Sequence, residues 1–205
     1  MNKRIVIVGG TFNPIHNGHI LALHALYDSG HFDEIWLMPS GTPPFKKNEK
    51  QSKAHRLQMC RLIQQELEFV KVSELEIVSD DVAYTYKTWT QLSRNHPEDT
   101  FYWMIGDDHV FHIEQWKHSQ DLLRDVSLVL VNRGGYDPKA VDKQCAYLKE
   151  TYHAQILQVS MPKIEISSTR IRERVCNQQS IVGYTPQSII DYIEQHNLYG
   201  GNPCK

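Results

Sequence analysis

Gly9-Gly10-Thr11-Phe12-Asn13-Pro14-Ile15-His16-Asn17-Gly18-His19 is the stretch that decides how this chain is read. It follows directly on Ile5-Val6-Ile7-Val8, a short β-branched run bounded by glycine, which predicts a buried strand rather than a helix. A strand that passes through glycines into a helix is a phosphate site in outline. Gly9 and Gly10 have no β-carbon to hold a polyphosphate away from their backbone. A helix starting near Asn17 or Gly18 aims free N–H groups and the positive end of its dipole at the anion. His16 and His19, three residues apart across that helix start, face one pocket and offer hydrogen bonds or charge to phosphoryl oxygens. The plainer reading is a tight turn whose imidazoles satisfy nearby backbone groups. A dinucleotide-binding fingerprint is excluded, because the glycines do not run G-x-G-x-x-G and the second strand, Glu34 to Met38, ends in Pro39 instead of an acid.

Working outward, Ile20, Leu21, Leu23, His24, Leu26 and Tyr27 predict an amphipathic helix that stops at Ser29-Gly30, so residues 5–38 form a β-α-β unit and imply a parallel sheet. Further strands are expected at 70–72, 75–78, 101–105, 126–131 and 154–159. Further helices are expected at 53–69, with Arg56 and Arg61 off its apolar face, and at 83–94, 141–151, 166–175 and 186–196. The class is therefore α/β: a Rossmann-like doubly wound parallel sheet with helices on both faces. One domain is expected over residues 1–205, with a small C-terminal helical part from about residue 166.

Composition narrows the function classes. A net charge of −2 provides no global field for nucleic acid or an anionic membrane, so an anionic ligand must be held by local groups. Cys60, Cys145, Cys176 and Cys204 are widely spaced and suggest neither a disulfide framework nor a zinc knuckle. With no leader-like N-terminus and no apolar run near about 18 residues, the expected location is the cytoplasm.

Polar residues recur where strands end, the edge at which open α/β sheets bind ligands. Pro39 to Lys47 carries Lys46 and Lys47, which suit either a phosphate or a solvated turn. Ala83 to Trp89 offers either a stacking wall with hydroxyl donors or ordinary core and cap residues. Gly106-Asp107-Asp108 puts carboxylates at a strand end, suited to a ribose hydroxyl, an adenine amine or a bound cation. His109 and His112 lack further ligands at metal-site spacing. Asn132-Arg133 adds a base to the same edge. Ile166-Ser167-Ser168-Thr169-Arg170-Ile171-Arg172 sets hydroxyls at a helix start, with Arg172 placed to fork onto phosphoryl oxygens or simply to face solvent.

The first stretch resembles the G-G-[ST]-F-D-P-x-H-x-G-H signature of the nucleotidyltransferase superfamily, and Ile166 to Arg172 resembles its I-S-S-T-x-I-R signature. Pro39 to Lys46, Tyr84-Thr85 with Thr88, Ile105-Gly106 with Asp108, Trp116, Asn132-Arg133 and the ending Tyr192 to Tyr199 are similar, in order, to the bacterial nicotinate-nucleotide adenylyltransferase family. That resemblance implies transfer of the adenylyl group of ATP to nicotinate mononucleotide, giving deamido-NAD and pyrophosphate in NAD biosynthesis. Mg2+ would ride on the phosphates, no metal would be held by protein side chains, and no covalent enzyme intermediate would form. It implies that His16, His19 and Arg172 are catalytic. It assigns Gly9, Gly10, Phe12, Gly106, Asp108, Arg133, Ser167 and Ser168 to ATP. It assigns Thr11, Lys46, Tyr84, Thr85, Trp116 and Lys117 to the mononucleotide, with the Trp116 indole stacked on nicotinate. The partners implied are these two small molecules, with no nucleic acid and no membrane, and a homo-oligomer is compatible.

Three residues depart from the family pattern. Asn13 replaces the usual Asp, which excludes a carboxylate there and leaves a turn-forming role; Phe45 precedes Lys46 where His is frequent; and Gly134-Gly135 replaces Pro-Gly after Arg133, which should loosen that turn. The alternatives are an adenylyltransferase for nicotinamide mononucleotide or another phosphate acceptor, and a nucleotide-binding regulator without turnover.

Overall fold

A computed structural model describes residues 2–41, 53–79 and 81–200. Six parallel strands, β1 (Arg4–Gly10), β2 (Glu34–Pro39), β3 (Val70–Val72), β4 (Thr100–Gly106), β5 (Ser127–Asn132) and β6 (Ile156–Ser160), lie in the order β3-β2-β1-β4-β5-β6. The chain winds outward from β1 in one direction, then returns to start again at β4. The crevice between the carboxyl ends of β1 and β4 is therefore the topological switch point, where ligands bind in such sheets.

Strand periodicity builds the two layers. Along β1, Val6 and Val8 enter one core while Ile5 and Ile7 enter the other. All four are at most 1% exposed, which is why the run is continuously apolar and not alternating. Each such side chain contributes roughly 1.5–3 kcal/mol of burial before chain entropy is subtracted. The first core is covered by α1 (Asn17–Asp28), α2 (Lys53–Glu66), α7 (Ser168–Cys176) and α8 (Gln187–Gln195). The second is covered by α3 (Thr85–Asn95), α5 (Ser119–Asp125) and α6 (Pro138–Tyr152), with the one-turn α4 (Asp107–Val110) at the end of β4. The chain beyond residue 166 is thus part of the main core.

Two expectations change. Residues 75–78 form turns, not a strand: the backbone N–H groups of Val78 and Ser79 bond back to Glu74 and Glu76, while the Glu76 side chain is buried and accepts from Thr88 Oγ1 at 2.7 Å. Arg56, expected off the apolar face of α2, is fully buried there, at 0% exposure like Met59, Cys60 and Ile63. Arg56, Met59, Cys60 and Ile63 form the inward face at i, i+3, i+4, i+7 spacing, so the periodicity was present and the charge concealed it.

Candidate active site

The loop from Gly10 to His16 leaves β1 at the switch point. Its His16 is the residue that precedes α1, and His19 lies in the first turn of that helix. The two rings stack with centroids 3.7 Å apart at 27°. Gly18 permits this, since a Cβ there would stand 3.0 Å from His16 Cε1. The backbone N–H of His16 donates to His19 Nδ1 at 3.2 Å. A neutral His19 therefore carries its proton on Nε2, on the far side of the ring. Phe12 completes the packing. Held at φ +48°, it places its buried ring edge-on to His19, with centroids 5.0 Å apart.

Both imidazoles are kept neutral. Burial and the field of Arg133 push His16 down to about 4, while burial, His16 and Arg133 push His19 down as well. Arg133, just past β5, is the guanidinium whose charge reaches the histidine pair. Among the described residues its Nε, which is buried, has no hydrogen-bond partner, and neither has His16 Nδ1. Gly106, the last residue of β4, makes room for Asp108, whose Oδ1 would stand 2.6 Å from a Cβ there, while Arg133 Nε would be in ordinary contact at 3.5 Å. Asp107 is buried and accepts the Gly135 N–H at 2.9 Å, and Asn132 Oδ1 accepts the Gly134 N–H at 2.8 Å. The diglycine turn expected to be loose is tied at both residues.

The second signature closes the site from the other side. Ser167 caps α7 by accepting the Arg170 N–H at 3.2 Å. Ser168 Oγ donates to the Pro14 carbonyl at 2.8 Å, and Arg172 Nη1 donates to the Asn13 carbonyl at 2.7 Å. Arg172 thus meets the histidine loop through its backbone, with Nη2 resting on Thr169 Oγ1 at 3.3 Å. Gly9 and Gly10 end β1 beside Met38 and Pro39 of β2. The Thr11 carbonyl accepts from Arg56 Nη1 at 2.8 Å, and Arg56 Nη2 donates to the Gly41 carbonyl at 3.1 Å. Arg56 therefore ties the first loop to the segment that follows β2, a role a residue-by-residue reading missed.

Tyr84 directly precedes α3, Thr85 is its first residue, and Lys117 comes up against Tyr84. Lys117 Nζ sits 4.5 Å above the Tyr84 ring, and an open groove of about 350 Å³ is lined by Asp81, Val82, Tyr84, Lys87, Lys117 and His118. Trp116 stands edge-on to His109 at 5.4 Å, and His109 Nε2 lies 3.7 Å from Asp108 Oδ2, so this cluster adjoins the end of β4. Lys46 lies outside the described residues. Among the described residues, no group of three or more His, Cys, Asp or Glu side chains could hold a metal, and no helix is long and apolar enough to cross a membrane.

The family model for Cytidylyltransferase-like proteins matches residues 7–174. The chain is 36% identical over 198 residues to a probable nicotinate-nucleotide adenylyltransferase of Clostridium botulinum, covering 96% of this chain and 98% of that one. It is 34% identical over 196 residues to the probable nicotinate-nucleotide adenylyltransferase of Carboxydothermus hydrogenoformans, with 96% and 98% covered. Among solved structures, Plasmodium falciparum nicotinic acid mononucleotide adenylyltransferase complexed with NaAD superposes with a TM-score of 0.80 at 24% identity, covering 97% of this chain and 98% of that one. At that identity the likeness establishes the fold.

Proposed function

The chain belongs to the nicotinate-nucleotide adenylyltransferase family of Cytidylyltransferase-like proteins, and on that premise we propose that it transfers the adenylyl group of ATP to nicotinate mononucleotide, giving deamido-NAD and pyrophosphate. The observation that carries the reading is the stacked His16–His19 pair within the field of the half-buried Arg133, at the switch point of a parallel sheet.

An oxygen of the mononucleotide phosphate forms a bond to the α-phosphorus of ATP. The bond from that phosphorus to the α–β bridging oxygen breaks, and its electron pair departs with pyrophosphate. Such a step asks for alignment and charge neutralisation rather than a protein nucleophile. The neutral His19 presents Nε2–H as a donor whose direction is set in advance by the His16 N–H on the other nitrogen. Arg133, half-buried with its Nε shut off from solvent, supplies positive charge, and Arg172 holds the loop on which the imidazoles stand. Gly9, Gly10 and Phe12 shape the floor beneath the triphosphate, while Ser167, Ser168, Gly106 and Asp108 line its edge. Thr11, Tyr84, Thr85, Trp116, Lys117 and Lys46 serve the mononucleotide, and the Thr85 hydroxyl and Lys117 favour a nicotinate carboxylate over an amide.

A divalent ion, Mg2+ by expectation, would be carried by the triphosphate and would supply charge neutralisation there. Phosphate oxygens with water suit this hard cation, and Asp108, whose side chain is 53% exposed at the end of β4, stays with the ATP-binding residues. The reaction belongs in the cytoplasm, where both substrates are dissolved metabolites. Pyrophosphate release measured with ATP and a panel of mononucleotides tests the reading. Turnover is expected with nicotinate mononucleotide, at kcat/KM at least about 10-fold above the amide. No release with any mononucleotide would overturn it.

A further inference from the structure

The loop that carries His16 is held by donors from the far end of the chain. Arg172 and Ser168 take the carbonyls of Asn13 and Pro14, and Thr185 Oγ1, itself buried, donates to the Ile15 carbonyl at 2.7 Å. Asn17 is fastened the same way, its N–H to Tyr184 O at 2.9 Å and its Nδ2 to Gly183 O at 2.8 Å. Beyond α8 the chain makes one further approach: the Tyr199 hydroxyl donates to Asn13 Oδ1 at 2.6 Å.

The local backbone is unusual where that hydroxyl is delivered. Asn197 and Tyr199 both sit in the left-handed region, at φ +50° and +63°, a conformation that a bulky side chain adopts only when its surroundings compel it. Asn13 is only 8% exposed, so without Tyr199 its carbonyl oxygen would lose a buried donor. Asn13 also directly follows Phe12, whose ring lies against the edge of His19. A contiguous path therefore runs from the Tyr199 hydroxyl through Asn13 and Phe12 to the His19 ring.

We propose that Tyr199 is a positioning residue for adenylyl transfer: its hydroxyl pins Asn13 and so keeps Phe12 and the stacked imidazoles aligned on the reacting phosphates. This rests on the reaction proposed above. It also gives Asn13, which stands where an acid is usual, a defined task as hydrogen-bond acceptor.

Tyr199→Phe removes one hydroxyl and keeps the ring. The expected result is a kcat for pyrophosphate release about 10-fold lower, the scale of one hydrogen bond, with KM for both substrates within about twofold. Asn13→Leu should give the same loss, and the double variant no further loss. The nitrogen NMR spectrum of His19, a single Nε2–H tautomer in the native chain, should become a tautomer mixture in both variants. An unchanged kcat, a loss confined to KM, additive losses in the double variant, or an unaltered His19 spectrum would each overturn the proposal. Should Tyr199→Phe fail to fold, kcat and the His19 spectrum of Asn13→Leu decide in the same terms. The spectrum is read without substrate, so a native protein that releases no pyrophosphate refutes the reaction while the link from Tyr199 to His19 is still tested.

Discussion

His19 Nδ1 accepts the backbone N–H of His16 at 3.2 Å while the two rings lie face to face, centroids 3.7 Å apart. One imidazole is thus oriented by the main chain of the residue whose own ring covers it. Placing the acceptor on Nδ1 commits the proton of the neutral ring to Nε2, which makes His19 a hydrogen-bond donor on that side.

His19→Ala removes that donor while the apolar packing of α1, carried by Ala22, Leu23 and Leu26, remains. We expect kcat to drop roughly 10²-fold or more, the usual loss for a donor aimed at developing charge. Circular dichroism and the thermal midpoint should change little. Near-native turnover would make the imidazole purely structural.

Stability should fall on mild acidification because of His16. Burial and Arg133 hold its folded pKa at about 4, whereas the unfolded side chain titrates near about 6.5. Below the higher value the unfolded chain binds a proton that the folded chain refuses. The His16 contribution is therefore constant above about pH 6.5, declines as pH drops toward 4 and is constant again below it, for a total of roughly 3 kcal/mol. Asp33, held at about 2 first of all by hydrogen bonds from the Arg4 side chain, loses its contribution only at lower pH. Urea midpoints at pH 7.5, 5.5 and 4.5 should trace the first decline, and His16→Asn should make it shallower.

Arg133→Gln keeps a polar side chain and removes the charge. Proton NMR should show both imidazoles titrating at higher pH than in the native chain, because one of the influences opposing protonation is gone. At neutral pH kcat/KM should fall by about 10²-fold, as lost charge at the phosphates outweighs any gain from protonated histidines. Unmoved imidazole pKa values would show that Arg133 does not act on the pair.

Arg56→Lys conserves charge but not the fork. One ammonium does not bridge the carbonyls of Thr11 and Gly41 as the guanidinium does, so a buried acceptor loses its donor. A loss of about 2 kcal/mol in a urea titration is expected. Turnover should decline too, because the first loop is no longer tied to the segment after β2. A variant as stable and active as the native chain would remove Arg56 from the architecture of the site.

The local pattern of the chain determined a great deal. The β-branched run at Ile5–Val8, the glycines after it and the histidines at a helix start specified the strand, the turn and the helix that begins at the switch point, since side-chain period and missing β-carbons act on near neighbours. The same logic read α1 and the parallel β-α-β unit, and it placed Gly106, Arg133 and Ser167 at the ends of strands or the start of a helix. Tertiary structure alone decided which guanidinium acts on the histidines, that a charged side chain lies in the core of α2, and that Tyr199 reaches Asn13 across 186 positions of sequence. A hydrogen bond spanning such a separation depends on how whole layers pack, and neither a two-residue nor a 3.6-residue period carries that information.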